Sequence, residues 1–558
     1  MSIRIGGLAS GIDTDQIISD LMKAQRTKVD KLKQDKIIVE WRQEIYNALN
    51  KDLANFILDT KKEFGLTSTS SSGSLLNKSV SSLEWVKKAA SSDTGIADII
   101  STRADAVTGS YSVSVSQIAK NFSAASQGDL GNLDTLKEQF GLNDTDVIKF
   151  TIESKDGVSQ TFEYSGDDLN NKTILDMAND INSYRDSDGN DLGVKAVYDT
   201  SINRLFFQTT ETGEANGFTI TQEAEATVEF FTGTNDKLQL NLTSGAVNQG
   251  QDAILSFNGA DNIRMASNQC TINNINLDLK AEGDFTVTVS TDVDAVYEKI
   301  SAFVEKYNEI VSKLNDTLNE KRYRDYTPLT EEQKESMSEK EIELWEEKAK
   351  SGLIKGDGVL QSTYHSMRSG MYDNVAGVSG AFDQLTQIGI STQNYFSGSK
   401  GGQLEIDETN LKKAIQEDVD GVLELLFKEP GAGLDVADDK LSNNEIQQKR
   451  SESGLIRRLY DNITVGMKEI INKAGTGDNP ELYRNVNSSI LIDFVTEHGS
   501  ISMLDKSISD YEDRIDDMND YLTTVENRYW QQFTAMEKAI QDMNSQSTWL
   551  TQMFSSGQ

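Results

Sequence analysis

Cysteine is almost missing from this chain: Cys270 is the single one among 558 residues. One thiol excludes a disulfide framework and a cysteine-rich metal site. Histidine is nearly as scarce, with His365 and His498 alone, which leaves little room for imidazole acid–base or metal chemistry. Proline occurs three times, at Pro328, Pro430 and Pro480, far below the usual share of about 5%. Helices can therefore run long without a break. No apolar run exceeds a few residues, so no transmembrane helix is predicted. Nor does the N-terminus carry the basic stretch and apolar core of a cleavable signal peptide. Basic residues are outnumbered, 54 Lys+Arg against 89 Asp+Glu for a net charge of −35. That balance argues against nucleic acid as a partner, because phosphate binding needs a basic footprint. At about 150 residues per domain, the length predicts three to four domains.

Both ends carry helical signals. Asp13 can cap a first helix, with Gln16 as a loose capping-box partner. Ile17, Leu21, Val29 and Leu32 follow among basic residues, including Lys28, Lys31, Lys33 and Lys36. Ile38, Trp41, Ile45, Leu49, Leu53 and Phe56 then recur at helical spacing. The far end is a heptad repeat: Ile501, Leu504, Ile508, Tyr511, Ile515, Met518, Leu522, Val525, Tyr529, Gln532, Met536, Ala539, Met543, Gln546, Leu550 and Met553 step by threes and fours. Such a helix is on the order of 80 Å long. Phe533, Ile540 and Phe554 add a second apolar row in its distal half, more than a two-stranded seam needs, so that half is expected to meet more than one helix. Leu21–Lys51 carries eight basic and four acidic residues, and the chain from Ile501 onward carries four and ten. The arms are thus net +4 and −6, an electrostatic match or two ordinary solvated faces.

Between the arms the period changes. Thr67–Ser82 is half serine and reads as a linker. Strand patterns follow at 111–115, 147–152, 161–164, 194–198, 204–209, 218–221, 253–257, 272–279 and 285–289, with a hairpin at Asp156-Gly157 and a short helix through Ile174, Met177 and Ile181. Helix resumes at Val296. Asp407 caps another helix, and a charged stretch lies between Pro328 and Gly352. The fold class expected is α+β multidomain, with helical, coiled-coil terminal legs joined to an inserted pair of β-rich head domains.

Chemistry-bearing constellations are thin. Asp186, Asp188, Asn190 and Asp191 imitate part of a calcium loop, but Asp191 stands where that loop needs glycine and Val197 where it needs glutamate. A plain acidic turn is the better reading. His365 has no second ligand nearby, and nothing near Cys270 in sequence supplies a base. No nucleophile elbow, phosphate loop or dinucleotide fingerprint occurs. Neither enzyme activity, cofactor nor metal is expected.

Four ordered pieces carry a resemblance. Gly7-Leu8-Ala9-Ser10-Gly11-Ile12-Asp13-Thr14 with Ile17–Met22 comes first. Ile272–Lys280, Val287–Asp292 and Phe303–Asn308 come next. Ile388–Thr392, Leu404–Asp407 and Leu425–Phe427 make the third, and the terminal heptads the fourth. Together they resemble the flagellar filament cap, or hook-associated protein 2, family. Within the β region, Ile181-Asn182 and Gly193–Thr209 resemble a strand motif of flagellins and hook proteins. The resemblance implies a structural cap at the distal filament tip, which promotes flagellin folding and polymerisation and prevents flagellin leakage. It implies residues 1–45 as an N-terminal arm pairing with 510–558, 46–76 and 293–509 as a helical leg, 77–146 and 231–292 as a head domain, and 147–230 as a nested outer head. A ring-shaped homo-oligomer, with a pentamer as the expectation, follows as self-partner. Flagellin, hook–filament junction proteins and a cytoplasmic export chaperone are the other partners implied, with a host or surface ligand open. Phe533, Met536, Ile540, Trp549, Leu550 and Phe554 form the expected chaperone patch. Export through the flagellar type III system, without membrane insertion, leads to an extracellular place at the filament tip. Two alternatives stay open: a hook–filament junction protein and a secreted coiled-coil adhesin.

The C-terminal seam by itself buries nothing, so both arms are expected to be unstructured in a free subunit.

Overall fold

A computed structural model describes residues 13–70, 75–393, 401–436, 438–486 and 502–555, apart from the side chains at 439 and 554. The chain forms two compact units, one from residues 1–80 and 293–558, the other from 81–292. The α+β class expected from the sequence holds, with helix dominating the first unit and strand the second.

The first unit is organised by the N-terminal helix, Thr14–Phe64. Asp13 caps it as expected, its Oδ1 accepting from the Gln16 amide at 2.9 Å. The Gln16 side chain turns instead to Asp20, so the reciprocal capping box does not form. The helix ends where Gly65 adopts φ 73°, and the Leu66 amide then donates to the Lys61 carbonyl at 2.8 Å. A left-handed residue costs glycine little, which is why helices end this way. Four further helices pack around its inner half: Val293–Asn319, Gly358–Gly370, Glu408–Phe427 and Leu455–Ala474. Asp407 caps the third of them as expected. Phe64 lies at the centre, its ring 4.9 Å from Phe427 and 5.7 Å from Phe303.

The serine-rich stretch is not merely a linker. Thr67–Thr69 pairs antiparallel with Leu75–Asn77, because Thr-Ser-Thr and Leu-Leu supply enough strand preference to close a hairpin. The charged stretch after Pro328 folds into helices Glu331–Glu335 and Glu339–Lys350, each opened by a capping box.

The second unit contains two hydrophobic cores. One lies between a five-stranded sheet and a three-stranded one. The larger sheet runs Ala260–Met265, Ala253–Phe257, Gly109–Gln117, Gly283–Thr291, Lys87–Ser91; the smaller runs Gln269–Ile272, Ile275–Leu279, Ala97–Thr102. Val113, Val115, Leu255, Phe285, Val287, Ile275 and Leu277 fill it. The 272–279 pattern, read as one strand, is two strands folded at Asn273 and Asn274, whose φ values are 50° and 64°. Asparagine tolerates that region better than other side chains.

The other core draws on residues from 130 to 242. Val147–Ser154 and Ser159–Ser165 form the expected hairpin, with Phe150 opposite Phe162. The Asn182 side chain explains the Ile181-Asn182 motif: its Nδ2 donates to the Ala196 carbonyl at 2.7 Å and its Oδ1 accepts from the Ala196 amide at 2.9 Å. This ties helix Ile174–Ser183 to strand Val194–Asp199. The chain passes between the two cores at Lys120 and Gln251, which are bridged. Gly250 is required there, since a Cβ would stand 2.1 Å from the Lys120 carbonyl oxygen.

Candidate functional site

The first unit brings the two terminal arms together. The C-terminal helix, Met503–Ser555, lies antiparallel to the N-terminal helix. Its start is fixed first. Ser502 and Asp505 form a capping box, and Gln43 donates to Asp505 Oδ1 at 2.6 Å and to the Ala474 carbonyl at 3.0 Å. One amide thus ties the two arms to the end of helix Leu455–Ala474. Burial pushes the Asp505 carboxyl up, but the hydrogen bonds from Ser502 and Gln43 outweigh it and hold it below its ordinary value.

Seven residues outward, Lys36 Nζ sits 2.8 Å from Glu512 and 3.3 Å from Glu40. The Glu512 hydrogen bond raises its pKa. Farther out, Ile18, Met22, Val29, Leu522 and Val525 bury one another, with Ile515, Met518, Tyr529, Trp530 and Phe533 half-buried around them. The arms therefore close on each other within one chain, and the seam expected to lack a partner has one. Continued outward, this register brings Thr14 opposite about residue 534.

The expected arm residues divide three ways. Ile17 and Leu21 face solvent, 37% and 38% exposed, while Ile18 and Met22 take the seam. Two apolar residues stand side by side at each place, so spacing alone selects the wrong member. Ile38, Trp41 and Ile45 turn away from the C-terminal helix toward Tyr326, Trp345, Ala349 and Leu353 of the charged stretch. Lys28, Lys31 and Lys33 are exposed. Lys31 pairs with Asp35 on its own helix, and Lys28 and Lys33 lie beside clefts between the arms.

Those clefts show where the coil is gapped. One of about 630 Å³ is lined by Lys28, Lys31, Leu32, Asp517, Met518 and Tyr521. Another of about 500 Å³ is lined by Lys33, Lys36, Ile37, Glu512, Ile515 and Asp516. The opposite charges of the arms do meet along these clefts, but largely across space rather than in close pairs.

Along the seam, Leu504, Ile508, Tyr511, Ile515, Met518, Tyr529 and Met536 are half-buried. Of the chaperone-patch residues, Phe533, Met536 and Ile540 are half-buried too, whereas Trp549 and Leu550 are 58% and 47% exposed; the seam residues Met543 and Met553 beside them are 65% and 58% exposed. Ile501 and the Phe554 side chain lie outside the described residues.

The remaining candidates are structural. Asp186 accepts from the Asp188 and Asn190 amides at 2.9 and 2.7 Å, and Asp191 from the Gly193 amide at 2.9 Å. These carboxylates are turned onto backbone, which lowers the Asp186 pKa. Among the described residues no His, Cys, Asp and Glu cluster could hold a metal ion. Burial pushes the Cys270 thiol up to about 11, and His365 is exposed on helix Gly358–Gly370. His498 lies outside the described residues. No described helix is long and apolar enough to cross a membrane. Sequence reading missed Gln43, whose neighbours Arg42 and Glu44 make it look like one more solvated position.

Two family models match: "Flagellar hook-associated protein 2 N-terminus" over residues 10–121 and "Flagellar hook-associated protein 2 C-terminus" over 250–545. Flagellar hook-associated protein 2 of Halalkalibacterium halodurans is 32% identical, over 99% of this chain and 100% of that one. The Escherichia coli protein of that name is 22% identical over 99% and 98%. A crystal structure of the flagellar cap protein D1-D2-D3 domains from Escherichia coli is similar at 19% identity, covering 76% of this chain and 95% of that one, with a TM-score of 0.48. A family match over more than half of the chain and a relative aligned from end to end agree: the chain belongs to the flagellar hook-associated protein 2 family.

Proposed function

We propose that this protein is a subunit of the cap at the distal tip of the bacterial flagellar filament. There it would help arriving flagellin to fold and polymerise and keep it from leaking away. Family membership supports the reading, and solved relatives carry the name flagellar cap protein. The observation that carries it is the antiparallel arm pair. A cap must let go and re-engage as each flagellin adds, so its contacts must be individually weak. Within the subunit the arm pair is lightly held, by a thin seam, the Lys36–Glu512 ion pair worth about 0.2–1 kcal/mol and gapped clefts on its flanks, so it would open readily to trade its own partner for one at the filament end.

In this reading the working form is a ring of identical subunits, for which a pentamer is our proposal. Flagellin and the hook–filament junction proteins are its neighbours. Residues 1–45 with 510–558 form the arm, 46–76 with 293–509 the leg, and 77–146, 147–230 and 231–292 the head. The subunit reaches the cell exterior by the flagellar type III route. Before export a cytoplasmic chaperone covers the end of the C-terminal helix, where Trp549, Leu550 and Met553 are exposed. A surface ligand for the head is a further proposal.

The test is electron microscopy of flagella from cells lacking the endogenous protein and expressing this one with a label. The expected result is label at the filament tip, full-length filaments and little flagellin in the medium. Label at the hook–filament junction, or spread over the cell surface, would overturn the reading.

A further inference from the structure

The charged stretch between Pro328 and Gly352 has no part in the proposed capping reaction, yet it is fastened to the N-terminal arm. Gln34 Nε2 donates to the Pro328 carbonyl at 2.6 Å, and Lys23 meets Glu332 at 2.5 Å. Ala349 is fully buried in one cluster with Leu353 and Trp41, against which Ile37, Ile38, Ile45, Tyr326 and Trp345 pack. Lys350 lies 5.0 Å from the Trp41 ring and 3.5 Å from Glu44. The Trp345 indole N–H donates to the Thr327 carbonyl at 2.8 Å and its ring lies 4.6 Å from Tyr326, which stiffens the stretch itself.

All of these contacts on the N-terminal helix fall between Lys23 and Ile45. That is the span where the C-terminal helix leaves clefts of about 500 and 630 Å³. Inward of it, from Tyr46, the helix is embedded in the aromatic core of the unit. We infer that the stretch Pro328–Gly352 is a splint: it holds residues 23–45 helical and closed, and so confines easy opening of the arm to its outer part.

The sequence cost of this device is borne in composition. Helix Glu339–Lys350 places Trp345 and Ala349, four residues apart, on one face, and surrounds them with charge. A helix of this length is marginal alone, so its capping box and its seat on Trp41 stabilise each other.

The splint can be removed cleanly, because its two ends already touch. Ser351 Oγ donates to the Lys321 carbonyl at 2.7 Å, and the Gly352 amide donates to Glu320 at 2.7 Å. Residues 323–350 can therefore be replaced by a short Gly-Ser link in the full chain. Trypsin reads the outcome, since Arg26, Lys28, Lys31, Lys33 and Arg42 lie in the splinted span while Lys51, Lys61 and Lys62 lie in the embedded part. Cleavage of a folded helix follows the population that opens. In the excised chain, initial cleavage between 26 and 42 should speed up roughly tenfold or more, with cleavage at 51–62 unchanged. The milder Trp345→Ala variant, with every backbone residue in place, should show the same pattern at a few-fold. Equal cleavage of the 26–42 sites in wild type and both variants would overturn the inference. So would acceleration at 51–62 by the same factor, which would make the stretch part of the common core.

Discussion

The N-terminal helix is continuous over 51 residues, yet its two halves are held by different physics. In the inner half, Tyr46, Leu49, Leu53, Ala54, Phe56, Ile57, Thr60 and Phe64 are all buried among four helices. In the outer half burial is spaced out, at Ile18, Met22, Val29, Val39 and Trp41. Identical secondary structure therefore conceals two stabilities. Hydrogen bonds along a helix contribute little net free energy in water, and burial of side chains decides which turn opens first. For the proposed cap subunit the lesson is useful: one rigid rod can be anchored at one end and yielding at the other.

The largest effect should come from the anchored half. Phe64→Ala removes a fully buried ring and leaves a hole beside Phe303 and Phe427. The expected cost is about 3–5 kcal/mol, read as a lower thermal midpoint of the helical unit. A shift confined to the arm would dissolve the distinction between the halves.

Leu522→Ala probes the yielding half. Leu522 is 6% exposed in the seam with Met22, and its truncation should cost about 2–3 kcal/mol, toward the low end of the Leu→Ala range because the site is thin. Here the loss should appear as faster amide exchange at residues 14–30, while the thermal midpoint of the rest of the unit moves little. Equal displacement of that midpoint would mean that arm and core melt as one.

Acid should loosen the hinge between the halves. The Asp505 pKa is depressed in the folded chain, so its contribution is present above the unfolded value near 3.9 and is lost as pH falls through the folded one. Lowering pH from 7 to 3 should reduce the protection of residues 36–45, read against the intrinsic exchange rate at each pH, ahead of global unfolding. Asp505→Asn should show that loss of protection already at neutral pH and respond less to acid.

The smallest effect concerns charge. The sequence suggests electrostatic matching of a +4 and a −6 arm, and reversing Lys28, Lys31, Lys33 and Lys36 to glutamate is its natural test. Lys36 alone of these has a close cross-arm partner. Lys36→Glu should therefore carry most of the effect on arm closure, of about 0.2–1 kcal/mol, and added salt should weaken it. If Lys28, Lys31 and Lys33 matter more than Lys36 in low salt, the clefts are held by long-range attraction rather than by that pair.

Legibility from sequence followed the same division. The heptads announced the C-terminal helix, and period-two strands announced most of the second unit, because each signal repeats over many residues. Strands Lys87–Ser91 and Ala97–Thr102 escaped, since Lys-Lys-Ala-Ala-Ser has no apolar alternation and its pairing partners supply the order. The arm was legible as a helix but not in its register, where Ile17-Ile18 and Leu21-Met22 offer two faces. The splint was illegible because its docking surface amounts to a few residues within a highly charged run. Contacts made across hundreds of positions, such as Gln34 to Pro328, leave no local period to read.

Hydrogen exchange along residues 14–64 of the intact chain tests the central claim most directly. Residues 46–64 should exchange only with global unfolding of the helical unit, and residues 14–22 at least about a hundredfold faster, through local opening. One common protection along the whole helix would contradict it, because the arm would then be as fixed as the core it extends from.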